Sequence, residues 1–318
     1  MPKSKIVERI EREVGIADLF EALTNRIKPV DLASLLIEVY GERAAHRTAA
    51  SVLNDYEQSR FVRLSSISPL RLMAWEQIAF QSLPEDFEAI ALAPVSPLGT
   101  SSAVGAVDQN RVISAVRNVE VLSDSTNVMA LECALRRREL MRQNPKSREP
   151  VHLASSERLI RAQHYGGANS VAHFSLFGLC SAGRVEDNLA FELKTLVLQI
   201  GFYIRALRAF LGEPLKLRLA VTNLGSAERD NLIQTDIFAP IQTAFGTIQC
   251  DLDPTRTGGR NYYVDLCFHL YAGRDESDML ELVDGGAVNW TQTLLSNNKE
   301  RCVISGIGSE RVCSAFEK

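Results

Sequence analysis

An arginine and a phenylalanine stand on either side of a glycine-containing loop near the middle of the chain. Residues 157–163 predict one strand, which carries Arg161, and residues 172–177 predict a returning strand that begins near Phe174. In such a hairpin, the guanidinium of Arg161 could hold a phosphate through two parallel hydrogen bonds. The ring of Phe174 could stack on a nucleotide base. The alternative is a plain hairpin with a surface arginine and a phenylalanine in the core.

An acidic residue and a pair of glycines follow about a hundred residues later, in the stretch Met279-Leu-Glu-Leu-Val-Asp-Gly-Gly. This pattern predicts a short strand that carries Glu281 and ends at Gly285 and Gly286. A carboxylate in that position could ligate Mg²⁺ on a nucleotide, since Mg²⁺ prefers oxygen ligands. The two glycines would let a substrate approach the backbone closely. The alternative is a turn with an exposed acid.

A third segment, at residues 302–311, combines a strand, small residues and the start of a helix. The strand runs into Gly306 and Gly308, and the helix begins with Glu310 and Arg311. Small residues at this junction would admit a nucleotide against the backbone, and a helix N-terminus favours anions. The guanidinium of Arg311 could lie flat over a purine. The alternative is an ordinary strand-to-helix turn.

Taken in order, these segments resemble the catalytic core of the class II aminoacyl-tRNA synthetases. The second signature motif of that family has an aromatic or apolar residue, Arg, any residue and Glu, followed by a loop and a Phe. Residues 160–163 and Phe174 occupy these positions, with Gln163 in place of the Glu. The third motif is Gly-x-Gly-x-x-Arg, which is matched by Gly306, Gly308 and Arg311.

Two further stretches carry the resemblance over residues 67–318. A predicted helix at residues 70–80, a strand at 90–95 and Pro97 are similar to the first motif, which builds a dimer interface in the family. Residues 122–127, which include Thr126, are similar to the threonine loop that histidyl-type enzymes use near the amino-acid ammonium group. Phenylalanyl and pyrrolysyl enzymes share features of the other segments, so the subgroup stays open.

The resemblance implies a role for each of these residues. Arg161 and Arg311 would be the catalytic residues, with Arg161 on the α-phosphate, where it neutralises charge in the transition state. Phe174 and Arg311 would sandwich the adenine, and Glu281 would place Mg²⁺. The implied ATP-binding residues are Arg161, Phe174, Glu281, Gly306, Gly308 and Arg311. The residues implied to bind the amino-acid substrate are Thr126, Gln163, Gly285 and Gly286.

Three hypotheses follow for the function. In the first, the chain is an ATP-dependent ligase that activates an amino acid or a related carboxylate as an acyl-adenylate, with tRNA or another molecule as acceptor. In the second, it is a non-catalytic relative that acts as a regulatory or assembly subunit, as the regulatory partner of ATP phosphoribosyltransferase does. In the third, it is an unrelated α+β protein. The family implies ATP and Mg²⁺ as cofactors and a homodimer as the assembly.

The elements that must position these residues can be predicted from periodicity. Residues 1–83 predict helices, with one helix after Pro29 expected to end at Gly41. For the short helices around residues 32–56, a packing role is favoured over a DNA-binding helix-turn-helix. From 84 to 318, strands alternate with long helices. The most regular helix spans residues 189–211 and precedes a strand at 216–221. These features predict an α+β fold, with a mainly antiparallel sheet flanked by helices and an N-terminal helical region.

Composition excludes several classes of protein. The chain has 318 residues, of which 46% are hydrophobic and 23% charged, and its formal net charge is −4. This composition is that of an ordinary globular protein, and nucleic-acid binding through overall positive charge is excluded. No apolar run is long enough for a membrane helix, and no secretory signal is visible, so a cytoplasmic location is expected. The six cysteines form no Cys-x-x-Cys pair, and the five histidines form no His-Glu-x-x-His motif, so no zinc site is expected.

Overall fold

The computed structural model describes residues 3–163, 171–212, 215–246, 248–259 and 262–316. Its α-helices are α1 (Lys5–Val14), α2 (Leu19–Glu21), α3 (Pro29–Ala45), α4 (Ala49–Gln58), α5 (Pro69–Gln81), α6 (Thr100–Ala103), α7 (Ser125–Gln143), α8 (Ala190–Leu211), α9 (Arg229–Ile233), α10 (Ala239–Phe245), α11 (Trp290–Leu295) and α12 (Ser309–Ala315). Its strands are β1 (Phe87–Ala89), β2 (Val95–Pro97), β3 (Ser114–Ala115), β4 (Val119–Val121), β5 (Val151–Ile160), β6 (His173–Arg184), β7 (Lys216–Asn223), β8 (Gln249–Leu252), β9 (Val264–Gly273), β10 (Leu280–Val288) and β11 (Glu300–Gly308).

Eight of these strands form one sheet in the order β1-β5-β6-β11-β10-β9-β7-β8. All five pairings from β5 to β7 are antiparallel, and only the two edge strands, β1 and β8, pair in parallel. Strands β2, β4 and β3 form a separate small sheet. The predicted α+β fold with a mainly antiparallel sheet is therefore confirmed.

Helices cover both faces of the large sheet because its strands alternate between two apolar cores. On β9, Leu266, Phe268 and Leu270 belong to the core that contains the buried side of α8. Cys267, between them, belongs to the second core, under α7. Helix α8 ends at Gly212, whose φ of 80° suits glycine. The predicted core helix and the strand that follows it are confirmed.

The two glycines of β10 lie within the strand, which continues to Val288, so the expectation that the strand ends there was wrong. A Cβ atom on Gly285 would lie 2.5 Å from the Phe268 ring and 2.8 Å from the carbonyl oxygen of Ile304. A Cβ on Gly286 would meet a neighbouring backbone oxygen at 2.6 Å. These glycines are required because neighbouring protein atoms occupy the space where a side chain would lie.

The strand predicted at residues 90–95 was also wrong, since β1 ends at Ala89 and β2 begins only at Val95. The backbone N–H of Leu92 donates instead to the Glu157 carboxylate at 2.7 Å. Pro94 has no N–H to give to a strand ladder. Tertiary hydrogen bonds therefore replace the expected local pairing.

The N-terminal helices form largely as predicted, although α3 continues through Gly41 to Ala45. No residue of α1, α2, α3 or α4 is buried, and many of their apolar side chains are exposed. The packing role expected of the helices around residues 32–56 therefore stays a prediction. Helix α5, by contrast, buries Trp75 in the core of the large sheet. The boundary at 83/84 stays a prediction.

No helix in the described part of the chain is both long enough and apolar enough to cross a membrane.

Candidate functional site

Two adjoining cavities lie over the sheet, where β5, β6, β10 and β11 bring their predicted site residues together. The Thr126 cavity has a volume of about 410 Å³ and is lined by Val107, Arg111, Ser123, Asp124, Thr126, Arg161, Gln163, Leu176, Gly259, Tyr262, Tyr263, Asp284, Ile304, Ser305 and Gly306. The Phe174 cavity has a volume of about 430 Å³ and is lined by Arg161, Phe174, Ser175, Leu176, Glu281, Leu282, Asp284, Gly306, Gly308, Glu310 and Arg311. Four residues border both cavities: Arg161, Leu176, Asp284 and Gly306.

Arg161 stands at this shared border, one residue after the end of β5. Its Nε donates a hydrogen bond to the carbonyl oxygen of Ser123 at 2.9 Å, and its Nη2 lies 3.7 Å from the carboxylate of Asp124. The guanidinium carbon lies 5.1 Å from the centre of the Phe174 ring, on the neighbouring strand β6. The predicted hairpin therefore places its arginine and its phenylalanine in contact. The predicted loop glycines at 166 and 167 lie outside the described residues.

Glu281 borders the Phe174 cavity on β10 and is part of a cluster of charges. Its carboxylate lies 3.7 Å from His269 Nε2, on β9. His269 Nε2 also lies 3.6 Å from Asp284, whose Oδ1 accepts a hydrogen bond from Arg256 at 2.8 Å. Burial lowers the pKa of His269, and the positive charge of Arg256 lowers it further, against the opposite effect of Asp284 and Glu281. This histidine is thus predominantly neutral at pH 7, and the negative charge of the two acids faces the cavity.

The Gly-x-Gly segment has the predicted conformation, with β11 ending at Gly308 and α12 beginning at the next residue. Arg311 in the first turn of α12 lines the Phe174 cavity together with Glu310. Glu310 is held by Arg158 Nη2 at 2.9 Å and by the Ser65 hydroxyl at 3.0 Å. The predicted set of two arginines, one phenylalanine and one acid therefore lines a single cavity.

Thr126 and Gln163 both line the other cavity. Asp124 caps the N-terminus of α7, where its Oδ1 accepts hydrogen bonds from the backbone N–H of Thr126 at 2.9 Å and from the Thr126 hydroxyl at 2.7 Å. The phenol of Tyr262 donates to the other carboxylate oxygen of Asp124 at 3.3 Å. Gly285 and Gly286 do not line either cavity within the described ranges, so the close approach of a substrate to them stays a prediction.

Four lining residues were not identified as site residues from sequence: Asp124, Tyr262, Tyr263 and Asp284. Arg256, which donates to Asp284, was not identified either. Burial raises the pKa of Tyr262 and of Tyr263 well above the ordinary value of a phenol, so both keep their proton. Asp284 was visible in the stretch before the double glycine, whereas no sequence signal marks Tyr262 and Tyr263 as site residues.

The donors in the Phe174 cavity fit an adenine nucleotide better than they fit a resident metal. The Arg161 guanidinium suits a phosphate, and the half-buried ring of Phe174 with Arg311 suits a base. Within the described residues there is no group of three or more His, Cys, Asp or Glu side chains that could hold a metal ion. One or two carboxylates, from Glu281 and Asp284, would suffice for Mg²⁺ only if nucleotide phosphates completed its coordination.

No family model matches the sequence, and no curated protein matches it significantly. Solved structures do match. An ATP phosphoribosyltransferase regulatory subunit/histidyl-tRNA synthetase from Bacillus halodurans superimposes with a TM-score of 0.56 and 13% identity, over 82% of this chain and 83% of that one. Histidyl-tRNA synthetase from Staphylococcus aureus superimposes with a TM-score of 0.56 and 15% identity, over 79% of this chain and 68% of that one. Histidyl-tRNA synthetase from Nostoc sp. PCC 7120 superimposes with a TM-score of 0.58 and 13% identity, over 80% of this chain and 74% of that one. The chain therefore has the class II aminoacyl-tRNA synthetase-like catalytic-core fold that the order of its sequence motifs predicts.

Proposed function

We propose that the chain binds ATP in the Phe174 cavity and an amino acid or a related carboxylate in the Thr126 cavity, and joins them as an acyl-adenylate. The observation that carries this proposal is the position of Arg161, which borders both cavities. A carboxylate and an α-phosphate that meet at one guanidinium are close enough to react.

The proposed reaction is a displacement at phosphorus. An oxygen of the substrate carboxylate attacks the α-phosphate of ATP, a new C–O–P linkage forms, and the bond to the β-phosphate breaks to release pyrophosphate. The side chain of Arg161 stabilises the negative charge that develops on the α-phosphate. Holding the two reactants side by side supplies much of the rate enhancement.

The remaining residues bind rather than react. Phe174 and Arg311 enclose the adenine, and Glu281 holds the Mg²⁺ that accompanies the phosphates. The ammonium group of an amino acid would be recognised by the carboxylate of Asp124 and the hydroxyl of Thr126. The proposed acceptor of the acyl group is tRNA or another nucleophile, and the proposed assembly is a homodimer.

Equilibrium dialysis with ATP and Mg²⁺ tests the nucleotide half of this proposal. The wild-type chain should bind one ATP, and Arg311→Ala should weaken binding by about tenfold, because the guanidinium that encloses the adenine with Phe174 is lost. Arg142→Ala is the matched control, since Arg142 is exposed and pairs only with Glu139 on its own helix. Equal ATP affinity in all three proteins would contradict the proposed cavity.

A second candidate is a non-catalytic regulatory or assembly subunit. Gln163 in place of the Glu of the second motif, and the hydrogen bond that already ties Arg161 to the carbonyl of Ser123, favour this alternative. It predicts that amino acids bind and stabilise the chain while ATP does not. Thermal unfolding with each amino acid, with and without ATP and Mg²⁺, separates the two candidates.

A further inference from the structure

A third cavity lies where β9 and β11 begin and β10 ends. Its volume is about 200 Å³, and its polar lining residues are Glu192, Asp265, Asn289, Gln292 and Arg301. None of them lines the Thr126 or Phe174 cavity. Val288 of its wall is four residues from Asp284 along β10, which at about 3.4 Å per residue is roughly 13 Å.

Glu192 is the most unusual residue of this cavity, which we call the Glu192 cavity. It lies in the first turn of α8 and is only 1% exposed. Neither of its carboxylate oxygens has a hydrogen-bond partner, although Arg301 Nε approaches Oε1 to 3.0 Å in an orientation unsuited to a hydrogen bond. Arg301 gives this buried carboxylate an ion pair but no well-oriented hydrogen bond, so much of its lost hydration is not replaced, and burial raises its pKa.

The other polar groups of the cavity leave an excess of hydrogen-bond acceptors. Asp265, held in a left-handed conformation with φ 59°, has one carboxylate oxygen bonded to Arg229 Nη1 at 2.7 Å. Arg301 Nη1 donates away from the cavity wall, to the backbone carbonyls of Asn298 and Glu300, each at 2.8 Å. The side-chain amides of Asn289 and Gln292 each add a carbonyl oxygen.

We infer that the Glu192 cavity binds a small ammonium-bearing molecule or the ammonium ion. A primary ammonium group has three N–H donors, which match the Glu192 carboxylate, the Asp265 carboxylate and an amide oxygen. Arg229 and Arg301 already offset the charges of Asp265 and Glu192, so recognition of the ammonium group rests on its three N–H donors rather than on a charge deficit. A divalent metal ion is disfavoured because Arg301 lies within 3.0 Å of Glu192. Val264, Ala287 and Val288 offer apolar surface to a short alkyl group.

Calorimetric titration of the full chain with methylammonium chloride tests this inference. At constant ionic strength, methylammonium should bind with saturation, whereas tetramethylammonium, with the same charge and no N–H donor, should not. Glu192→Gln should weaken binding at least about tenfold through the lost charge-assisted hydrogen bond. Glu186→Gln is the control, because Glu186 pairs with Lys194 and lies outside the cavity lining. Ammonium chloride in a parallel titration distinguishes the ion from an alkylamine.

Equal binding of methylammonium and tetramethylammonium, or an unchanged affinity in Glu192→Gln, would overturn the inference. If Glu192→Gln does not fold, Asn289→Ala and Gln292→Ala decide instead, since both sites lie at the cavity wall and carry no buried charge. Each should weaken methylammonium binding about threefold or more, as expected for loss of one hydrogen bond; no change in either would reject the site. The outcome is independent of ATP binding in the other cavities.

Discussion

At the scale of single residues, the structure explains side chains whose type alone was ambiguous. The three consecutive arginines at 136–138 look like a solvated helix end or a nucleic-acid contact. Arg137, however, is fully buried and forms two hydrogen bonds with the carboxylate of Glu300, at 2.8 and 3.1 Å. It also donates to the backbone carbonyls of Ser147 and Glu149. This arginine is a structural tie between α7 and β11.

Breaking the Arg137–Glu300 pair should therefore destabilise the fold strongly. Arg137→Met leaves the Glu300 carboxylate buried without its partner, and we expect the free energy of unfolding to fall by about 3–5 kcal/mol. The double variant Arg137→Met with Glu300→Leu should recover much of this loss, because no charge remains buried. Urea unfolding measures both, and a loss below about 1 kcal/mol in the single variant would contradict the assignment.

The burial of His152 leads us to expect that the free energy of unfolding depends on pH. Burial lowers its pKa below the ordinary 6.5, so the unfolded chain takes up a proton more readily than the folded one. Stability should therefore fall as the pH decreases below about 6.5. In His152→Gln this fall should be smaller, whereas it should persist in a variant of the exposed His46. Urea unfolding between pH 5 and 7.5 gives the slopes, and identical slopes in His152→Gln and wild type would refute the prediction.

At the scale of elements, periodicity predicted those parts whose own side chains decide the structure. The long stripe of α8, the alternation of β9 and the passage from β11 to α12 were all recognisable in this way. Residues 90–95 were not, because their conformation depends on Glu157, far along the chain. Arg161, Phe174, Glu281 and Arg311 were identifiable by residue type and order. Asp124 and Tyr262 became visible only when the fold brought them to the same cavity.

Substitution of Gly285, inside β10, tests how tightly this strand is packed. Gly285→Ala places a methyl group 2.5 Å from Phe268 and 2.8 Å from the backbone of Ile304, and we expect a loss of about 1–3 kcal/mol in unfolding free energy. Gly258→Ala is the matched control, since a Cβ there meets nothing within 4 Å. Denaturant titration of both variants measures the difference. Equal stability of the two variants would show that β10 is not packed as described.

At the scale of the whole molecule, the chain has one strongly packed part and one weakly packed part. The large sheet and the helices α5, α7 and α8 contain the buried cores, whereas α1 to α4 contain no buried residue. Helical periodicity predicted that this region is helical but could not show what its helices contact. An apolar stripe is equally consistent with packing inside one chain and with a partner surface.

Removal of residues 1–58 should therefore leave the folded core nearly intact. One fully buried large apolar side chain contributes up to about 3 kcal/mol, and these helices bury none. We expect the free energy of unfolding of the shortened chain to change by less than this amount. Thermal and denaturant unfolding followed by circular dichroism provide the measurement. Loss of cooperative unfolding would show that the N-terminal helices are part of the core.

The central claim is that Arg161 joins a carboxylate site to a nucleotide site. Exchange of labelled pyrophosphate into ATP, measured with each of the common amino acids, tests it most directly. We expect exchange that depends on one amino acid, that is abolished by Arg161→Ala and that is unchanged in Arg142→Ala. Absence of exchange with every amino acid, together with absence of ATP binding by the folded chain, would contradict it.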